Sequence, residues 1–157
     1  VTITSCDREA SGALTIPATI EGNPVTNIDV GAFHQYTSLT SITIPDGVTS
    51  IGDFAFSECT NLTNINIPDG VTSIGFGALF NCTNLTSITI PDGVTSIEGF
   101  AFDQCTSLTA VTFLGDTPKE GGGIFSESTP TIYRKPEAKG WVDTWAGRPV
   151  KLISEKP

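Results

Sequence analysis

A unit of 23 residues repeats along this chain with almost no change in length. Three successive copies read LTSITIPDGVTSIGDFAFSECTN from Leu39, LTNINIPDGVTSIGFGALFNCTN from Leu62 and LTSITIPDGVTSIEGFAFDQCTS from Leu85. A unit this short cannot bury an apolar face alone, so each copy has to stack on its neighbours. The period therefore predicts a repeat solenoid, in which a residue that recurs in every copy can be there for the coil itself.

Apolar residues recur at fixed positions of the unit and define a predicted core. The motif L-x-x-I-x-I reads as a short strand, and Pro-Asp-Gly then ends it in a turn. V-T-S-I is a second short extended piece on another side of the coil, and the A-F-x-x-C stretch suits a single helical turn against the core. The inward columns of the first strand are Leu39, Leu62, Leu85 and Leu108, then Ile42, Ile65, Ile88 and Val111, then Ile44, Ile67, Ile90 and Phe113.

Both ends of the array depart from the unit, as terminal turns of a solenoid do because they must close the open core. We expect residues 1–12 to form an N-terminal cap strand and residues 13–112 to form about four to five coils. Residues 113–157 are expected to form a degenerate last coil and a C-terminal cap. Trp141 and Trp145 in this cap are expected to seal the last coil, and a sugar-stacking platform is the alternative.

The charge of the chain is distributed unevenly. Between Glu9 and Pro118 there are eleven acidic residues and no Lys or Arg, and the net charge of the whole chain is −9. A repeat body without cations cannot neutralise phosphates, which argues against nucleic acids and anionic membranes as partners. No apolar run reaches the roughly 18 residues that a membrane-spanning helix needs, so membrane insertion is not expected.

The start of the chain bears on where the protein is expected to be located. The sequence begins at Val1 and contains no Met, and no charged-then-apolar leader precedes the repeats. These features lead us to expect the mature part of a larger secreted or cell-surface chain whose export signal has been removed.

The full pattern L-x-x-I-x-I-P-x-x-V-x-x-I-G-x-x-A-F-x-x-C resembles the BspA-like bacterial leucine-rich repeats over roughly residues 13–113. The resemblance implies a right-handed leucine-rich-repeat superhelix with a parallel β-sheet on one face and short helical turns or irregular structure on the other. The tail over residues 132–150 is also similar to a segment that closes such arrays in some bacterial surface proteins. A secreted or cell-surface role in adhesion or ligand binding is implied, but no particular ligand.

The outward positions of the first strand are the first candidate for a binding surface, because in leucine-rich repeats this strand lines the concave face where ligands dock. They lack the Trp, Tyr and Arg anchors that supply most interface energy, and Thr is a natural strand-surface residue. An ordinary sheet surface is therefore the simpler interpretation, with a ligand face or an ice-binding Thr ladder as alternatives. The ligand-binding candidates are Thr40, Ser41, Thr43, Thr63, Asn64, Asn66, Thr86, Ser87, Thr89, Thr109 and Thr112.

Aromatic residues provide the second candidate surface. Placement in or near the core is the interpretation that the repeat favours for those flanking the A-F column. If they are exposed together, they form an apolar stripe on which a neighbouring domain or protein can dock. These partner-docking candidates are Phe54, Phe76, Phe80 and Phe100.

Cysteine and aspartate residues also form columns, and the repeat explains both. Coils about 4.7–4.9 Å apart lie within disulfide range, yet three thiols pointing the same way suit buried packing better. Zinc-type spacing is absent, and we predict neither a metal site nor a cofactor. The aspartates fit the turn, with weak cation binding as the alternative. The two columns are Cys59, Cys82 and Cys105, and Asp46, Asp69 and Asp92.

No catalytic motif is present, so we predict that the protein is not an enzyme. The only His is His34, and there is no G-x-S-x-G, H-E-x-x-H or phosphate-binding loop. The predicted function is a non-catalytic extracellular binding or adhesion module that presents its repeat surface to a protein partner. A module that binds neutral carbohydrate as the accessory of a larger secreted enzyme is the alternative.

Overall fold

The computed structural model describes all residues from 1 to 157, which wind into about six stacked coils. We number coils 1 to 6 as residues 12–38, 39–61, 62–84, 85–107, 108–130 and 131–152. The strands are β1 (Thr2–Ile3), β2 (Gly12–Thr15), β3 (Thr19–Ile20), β4 (Asn23–Pro24), β5 (Asn27–Ile28), β6 (Leu39–Thr43), β7 (Ser50–Ile51), β8 (Asn64–Ile65), β9 (Ser73–Ile74), β10 (Ser87–Ile90), β11 (Ser96–Ile97), β12 (Ala110–Phe113), β13 (Lys119–Glu120), β14 (Thr131–Arg134), β15 (Thr144–Trp145) and β16 (Arg148–Leu152). One short 3₁₀ helix, Ile153–Glu155, is the only helix.

Coils 1 to 5 each contribute a strand to two parallel sheets. The main sheet contains the L-x-x-I-x-I strands, with β2, β6 and β8 in one part and β10, β12, β14 and β16 in the other. Equivalent residues of neighbouring coils pair directly, as Ile42 does with Ile65. The parallel solenoid predicted from the period is therefore confirmed.

The second sheet is more extensive than the sequence predicts. The V-T-S-I stretches of successive coils pair in parallel and form one continuous six-stranded sheet. Its strand order is β1, β5, β7, β9, β11 and β13. Each strand is only two residues long, and the sheet gains length from the exact repetition of coils. A backbone bond from Thr72 N–H to the Thr49 carbonyl, at 3.1 Å, extends the ladder beyond the strand ends. Sheet structure therefore lies on two sides of the coil and not on one.

The third side of the coil, which we call the turn face, consists of residues 29–36, 52–59, 75–82, 98–105 and 121–128. Of the two expectations for this side, short helical turns or irregular structure, the structure shows the second, so the single helical turn that the A-F-x-x-C stretch suits does not form. In coil 2 the N–H groups of Phe54, Phe56 and Glu58 donate to carbonyls of coil 3 at 2.7–2.8 Å. The intervening N–H groups of Ala55 and Ser57 donate within their own coil at 3.2 Å. A helix cannot alternate in this way, because Phe54 and Glu58 take left-handed φ angles of 53° and 57°.

The core is one continuous stack of side chains that runs from Ile3 to Trp145. At its C-terminal end, the rings of Trp141 and Trp145 lie 4.9 and 5.1 Å from the Phe113 ring. Trp145 is buried, and its indole N–H donates to the Pro118 carbonyl at 3.3 Å. The tryptophans thus seal the core as predicted, and the buried Trp145 cannot serve as a sugar platform.

The cysteine column is buried and hydrogen-bonded to the preceding coil. The Sγ of Cys59, Cys82 and Cys105 donates to the carbonyls of Phe33, Phe56 and Leu79 at 3.1, 3.2 and 3.1 Å. In coil 5 the hydroxyl of Ser128 makes the equivalent bond to Phe102 at 2.7 Å. Burial raises the pKa of Cys59 and Cys105 to about 12 and raises that of Cys82 well above 9.0. These groups are therefore inert thiols that satisfy backbone carbonyls of the turn face.

Replacing Cys82 tests how much the hydrogen bond from its thiol to the Phe56 carbonyl contributes to stability. Cys82→Ser keeps a donor, as Ser128 does in coil 5, whereas Cys82→Ala leaves the Phe56 carbonyl with only the long bond from the Cys59 N–H at 3.4 Å. We expect the Ala variant to be less stable than the Ser variant by about 1–2 kcal/mol in urea unfolding. An Ala variant as stable as the Ser variant would show that the thiol acts only by filling space.

The thiol pKa values also predict a loss of stability at alkaline pH. An unfolded thiol titrates near pH 9.0, whereas the buried thiols hold their protons to about pH 12. Around and above pH 9 the unfolded state therefore binds fewer protons than the folded state, and the free energy of unfolding falls by about 1.4 kcal/mol per thiol in total between pH 8 and pH 10. Urea unfolding between pH 8 and pH 10 measures this slope. A variant with Ser at positions 59, 82 and 105 should lose the thiol part of the slope, and an unchanged slope would refute the assignment.

Candidate functional site

The outward surface of the main sheet is largely exposed, but parts of it are already engaged. The hydroxyls of Thr63 and Thr109 donate back to the carbonyls of Thr40 and Thr86, at 3.1 Å in both cases. Thr112 is buried, contrary to expectation, because the C-terminal residues cover it and Lys156 Nζ lies 3.5 Å from its hydroxyl. Ser41 is half-buried, and the exposed candidates are Thr40, Thr43, Thr63, Asn64, Asn66, Thr86, Ser87, Thr89 and Thr109.

A cleft of about 290 Å³ interrupts the main sheet between coils 3 and 4. The Asn66 side chain bonds to coil 2, on the other side of coil 3: its Oδ1 accepts the Ile44 N–H at 2.7 Å and its Nδ2 donates to the Ile44 carbonyl at 3.0 Å. This amide replaces strand pairing with coil 2 at that position, while β8 ends at Ile65 and does not pair with β10 of coil 4. Four predicted ligand candidates meet at this cleft, namely Asn64, Asn66, Ser87 and Thr89. The sequence signal is Asn at two positions where the flanking coils carry Ser and Thr.

Three phenylalanines form an exposed row along the turn face. Phe54, Phe76 and Phe100 are 39%, 40% and 40% exposed. Neighbouring ring centroids lie 5.6 and 5.4 Å apart, and the rings are inclined at 65° and 61° in edge-to-face contact. Phe80 is half-buried and does not join them. The favoured core placement is therefore wrong for these three residues, which we call the Phe ladder.

Each ring of the Phe ladder rests over a glycine of the next coil. A Cβ atom at Gly77 would lie 2.5 Å from Cε1 of Phe54, and one at Gly123 would lie 2.7 Å from Cε1 of Phe100. A Cβ atom at Gly99 would lie 3.1 Å from the Phe76 ring. The rings are staggered because Phe76 comes one position earlier in its coil than the other two. The glycines are therefore notches that seat the rings.

Two residues of the Phe ladder have a strained backbone. Phe54 and Phe100 have φ angles of 53° and 57°, at a position where coils 1, 3 and 5 carry glycine. A residue with a Cβ costs about 1–2 kcal/mol in this left-handed region, and glycine avoids the cost. Left-handed φ angles also occur at Glu58, Asn81 and Gln104 in the same turns, so what sets Phe54 and Phe100 apart is an aromatic side chain that stays exposed at such a position.

Acidic groups flank the Phe ladder. The Asp53 carboxylate accepts the N–H of Phe76 at 2.8 Å, which fixes a negative charge between the first two rings. Glu98 is exposed and immediately precedes Gly99, the glycine under the Phe76 ring. Coils 2 to 4 contain no Lys or Arg. The surface around the rings is therefore apolar in its centre and negative at its rim.

His34 has a partner that sequence reasoning missed, because Ser57 occupies the equivalent position one coil later. The His34 Nδ1 lies 2.6 Å from the Ser57 Oγ. The Ser57 hydroxyl also lies 3.0 Å from the Phe54 carbonyl, which can only accept, so the ring N–H donates to the hydroxyl. Ser57 is completely buried, and its proton does not face the imidazole. The pair lacks the arrangement of a nucleophile and its base.

Asp103 is the acidic residue whose environment is most unusual. It is buried, and its Oδ1 is the one buried side-chain oxygen that lacks a hydrogen-bond partner. Desolvation raises the pKa of its carboxyl group, which a backbone bond from Gln104 partly offsets. No group of three or more His, Cys, Asp or Glu side chains gathers as metal ligands would. No helix has the length and hydropathy needed to cross a bilayer.

A parallel solenoid with 23-residue coils and inward Leu and Ile columns defines the class of leucine-rich-repeat proteins. The family model for the BspA type leucine rich repeat region matches residues 19–133 with six copies. The chain belongs to this family.

Solved structures of bacterial leucine-rich-repeat proteins are similar to this chain. The T. pallidum protein TpLRR is 33% identical with a TM-score of 0.70, over 77% of this chain and 57% of its own. A Bacteroides capillosus protein is 32% identical with a TM-score of 0.62, over 71% and 85% of the two chains. A leucine rich cell surface protein of Faecalibacterium prausnitzii is 28% identical with a TM-score of 0.55, over 91% and 52%. The chain thus spans little more than half of the first and third proteins, and no curated protein matches it.

Two glycine variants test the seating of the rings. Gly77→Ala combines a positive φ of 59° with a clash against the Phe54 ring, whereas Gly122→Ala has ordinary φ and nothing within 4 Å. We expect Gly77→Ala to lower the free energy of unfolding by about 1–3 kcal/mol and Gly122→Ala to change it by less than about 0.5 kcal/mol. Urea unfolding measures both. Equal losses in the two variants would contradict the seating of Phe54 on Gly77.

Proposed function

We propose that this protein is a non-catalytic binding module of an extracellular or cell-surface protein, and that the Phe ladder is the surface on which a protein partner docks. The observation that carries the proposal is the exposure of three phenylalanines, two of them in a strained backbone conformation. The rings also pack on glycines of the next coil, yet about 40% of each side chain remains exposed, and strained residues of this kind cluster at binding sites.

The energetics of recognition favour the Phe ladder over the main sheet. Aromatic side chains dominate interface energies, and adjacent rings held in fixed geometry lose little side-chain entropy on binding. The main sheet offers small hydroxyls, two of which already bond to the preceding coil. A net hydrogen bond from such a group contributes only about 0.5–1.5 kcal/mol.

The similarity to a leucine rich cell surface protein supports an extracellular setting. The Phe ladder spans three coils, so its contact area is small and the affinity of one module is modest. Several modules on one larger chain gain avidity without further contacts. The inert thiols and the orientation of His34 and Ser57 support a role without catalysis.

The cleft at Asn66 supports a second candidate, binding of a neutral glycan. The cleft is lined by Asn64, Ser87 and Thr89, which carry hydroxyl and amide groups, and by the apolar, half-buried Leu114. Such a combination of polar and apolar groups suits a sugar ring. The tail aromatics do not contribute, since Trp145 is buried.

The test removes the rings without damaging the fold. A ladder variant carrying Phe54→Gly, Phe76→Ala and Phe100→Gly places glycine at the two strained positions, so relief of strain offsets lost packing. We expect its free energy of unfolding to lie within about 1–2 kcal/mol of the parent. The matched control, Thr43→Ala with Thr89→Ala, changes the main sheet alone.

A displayed random-peptide library and a glycan array provide the ligands. Peptides that bind the parent and the threonine control, but not the ladder variant, are the expected result. Peptides that bind the parent and the ladder variant alike would overturn the docking role of the rings. Glycans lost only in the threonine control would move the site to the cleft, and turnover of any arrayed molecule would refute the absence of catalysis.

A further inference from the structure

We infer that the partner of the Phe ladder is a cationic polypeptide segment, whose Arg and Lys side chains lie on the phenylalanine rings and pair with the carboxylates beside them. The inference rests on the proposed docking role of the Phe ladder and adds the chemistry of the partner. It follows from the charge around the rings, from their geometry and from an aromatic–guanidinium contact elsewhere in the chain.

The charge of the coils that hold the Phe ladder favours a cationic partner. Coils 2 to 4, which hold the Phe ladder, contain only acidic charged residues, namely Asp46, Asp53, Glu58, Asp69, Asp92, Glu98 and Asp103. Long-range attraction therefore selects cationic partners and steers their approach. A second copy of this chain is a poor occupant, because each copy carries a net charge of −9.

The positions of the carboxylates and the inclination of the rings also favour a cation at short range. The Asp53 carboxylate is held by the Phe76 N–H at 2.8 Å, and Glu98 is exposed on the coil that carries Phe100. The rings are inclined at 65° and 61° to their neighbours, so they do not stack face to face and part of each face stays open. A cation above a ring face and near a carboxylate gains from both groups.

The chain already holds one guanidinium over an aromatic ring at the N-terminal end of the turn face, with a backbone carbonyl in place of a carboxylate as its hydrogen-bond partner. The Arg8 Cζ lies 5.3 Å from the centre of the Tyr36 ring, and its Nη1 donates to the His34 carbonyl at 3.2 Å. Arg8 is thus engaged at coil 1, and Lys119 belongs to coil 5, where its backbone pairs with Ser96 in the second sheet. Coils 2 to 4 contribute no cation of their own, so the cations that lie on the Phe ladder have to come from a partner.

An oligoarginine peptide is the probe, and isothermal titration at about 0.15 M salt measures its binding. The rim variant, Asp53→Asn with Glu98→Gln, keeps the rings and the acceptor for the Phe76 N–H. Its matched control, Asp69→Asn with Asp92→Asn, removes the same charge from the Pro-Asp-Gly turns. The ladder variant described above removes the rings at constant charge.

We expect the rim variant and the ladder variant each to weaken binding by about tenfold, and the turn control to weaken it by less than about threefold. Equal losses in the rim variant and the turn control, with full binding by the ladder variant, would mean general attraction to an acidic protein and would overturn the inference. The outcomes separate the two proposals. Library peptides that depend on the rings but show no excess of Arg or Lys would overturn the cationic partner and leave the docking role intact.

Discussion

Hydrogen bonding between successive coils is the constraint on which the rest of this structure depends. Two-residue strands such as Ser50–Ile51 and Ser73–Ile74 have no stability alone, and they persist because each pairs on both sides with the equivalent residues of the next coils. On the turn face, alternate N–H groups bond to the next coil and the others bond within their own. Nearly every buried backbone group needs a partner, so an inserted residue in one coil would break the pairing with two neighbours. The unchanging period follows from this requirement.

The same requirement explains residues that resemble functional groups. Cys59, Cys82 and Cys105 recur because the turn face leaves a carbonyl that needs a small donor, and Ser128 supplies one equally well in coil 5. Asn66 supplies both hydrogen-bond partners of Ile44 in the preceding coil, just beyond the end of β8. A side chain that replaces a backbone partner can thus recur in register, or stand alone, without taking part in ligand binding.

Much of the fold follows from the sequence, because the apolar columns and the period leave few ways to stack. The path of the turn face does not, since a single helical turn suits its A-F-x-x-C pattern, whereas the structure has irregular turns in which Phe54 and Glu58 take left-handed φ angles. The signal was present as glycine at positions 31, 77 and 123, but Phe54 and Phe100 at equivalent positions concealed it. Exposure of the Phe ladder was missed for the same reason, because an aromatic residue beside a core column normally turns inward. The pairing of His34 with Ser57 required knowledge of which positions stack.

The Phe ladder departs from strict repetition of the coils, and this departure fits its proposed role in recognition. A phenylalanine in every coil at the position of Phe54 cannot be built, because its ring occupies the space of a side chain at position 77. The sequence therefore shifts Phe76 by one position and places glycines under each ring, which yields a staggered row across three coils. Residues that are identical in every coil meet structural requirements common to all coils, such as core packing and backbone pairing. Some residues that differ between coils still meet such a requirement, as Asn66 does, but the exposed aromatic groups of the Phe ladder do not.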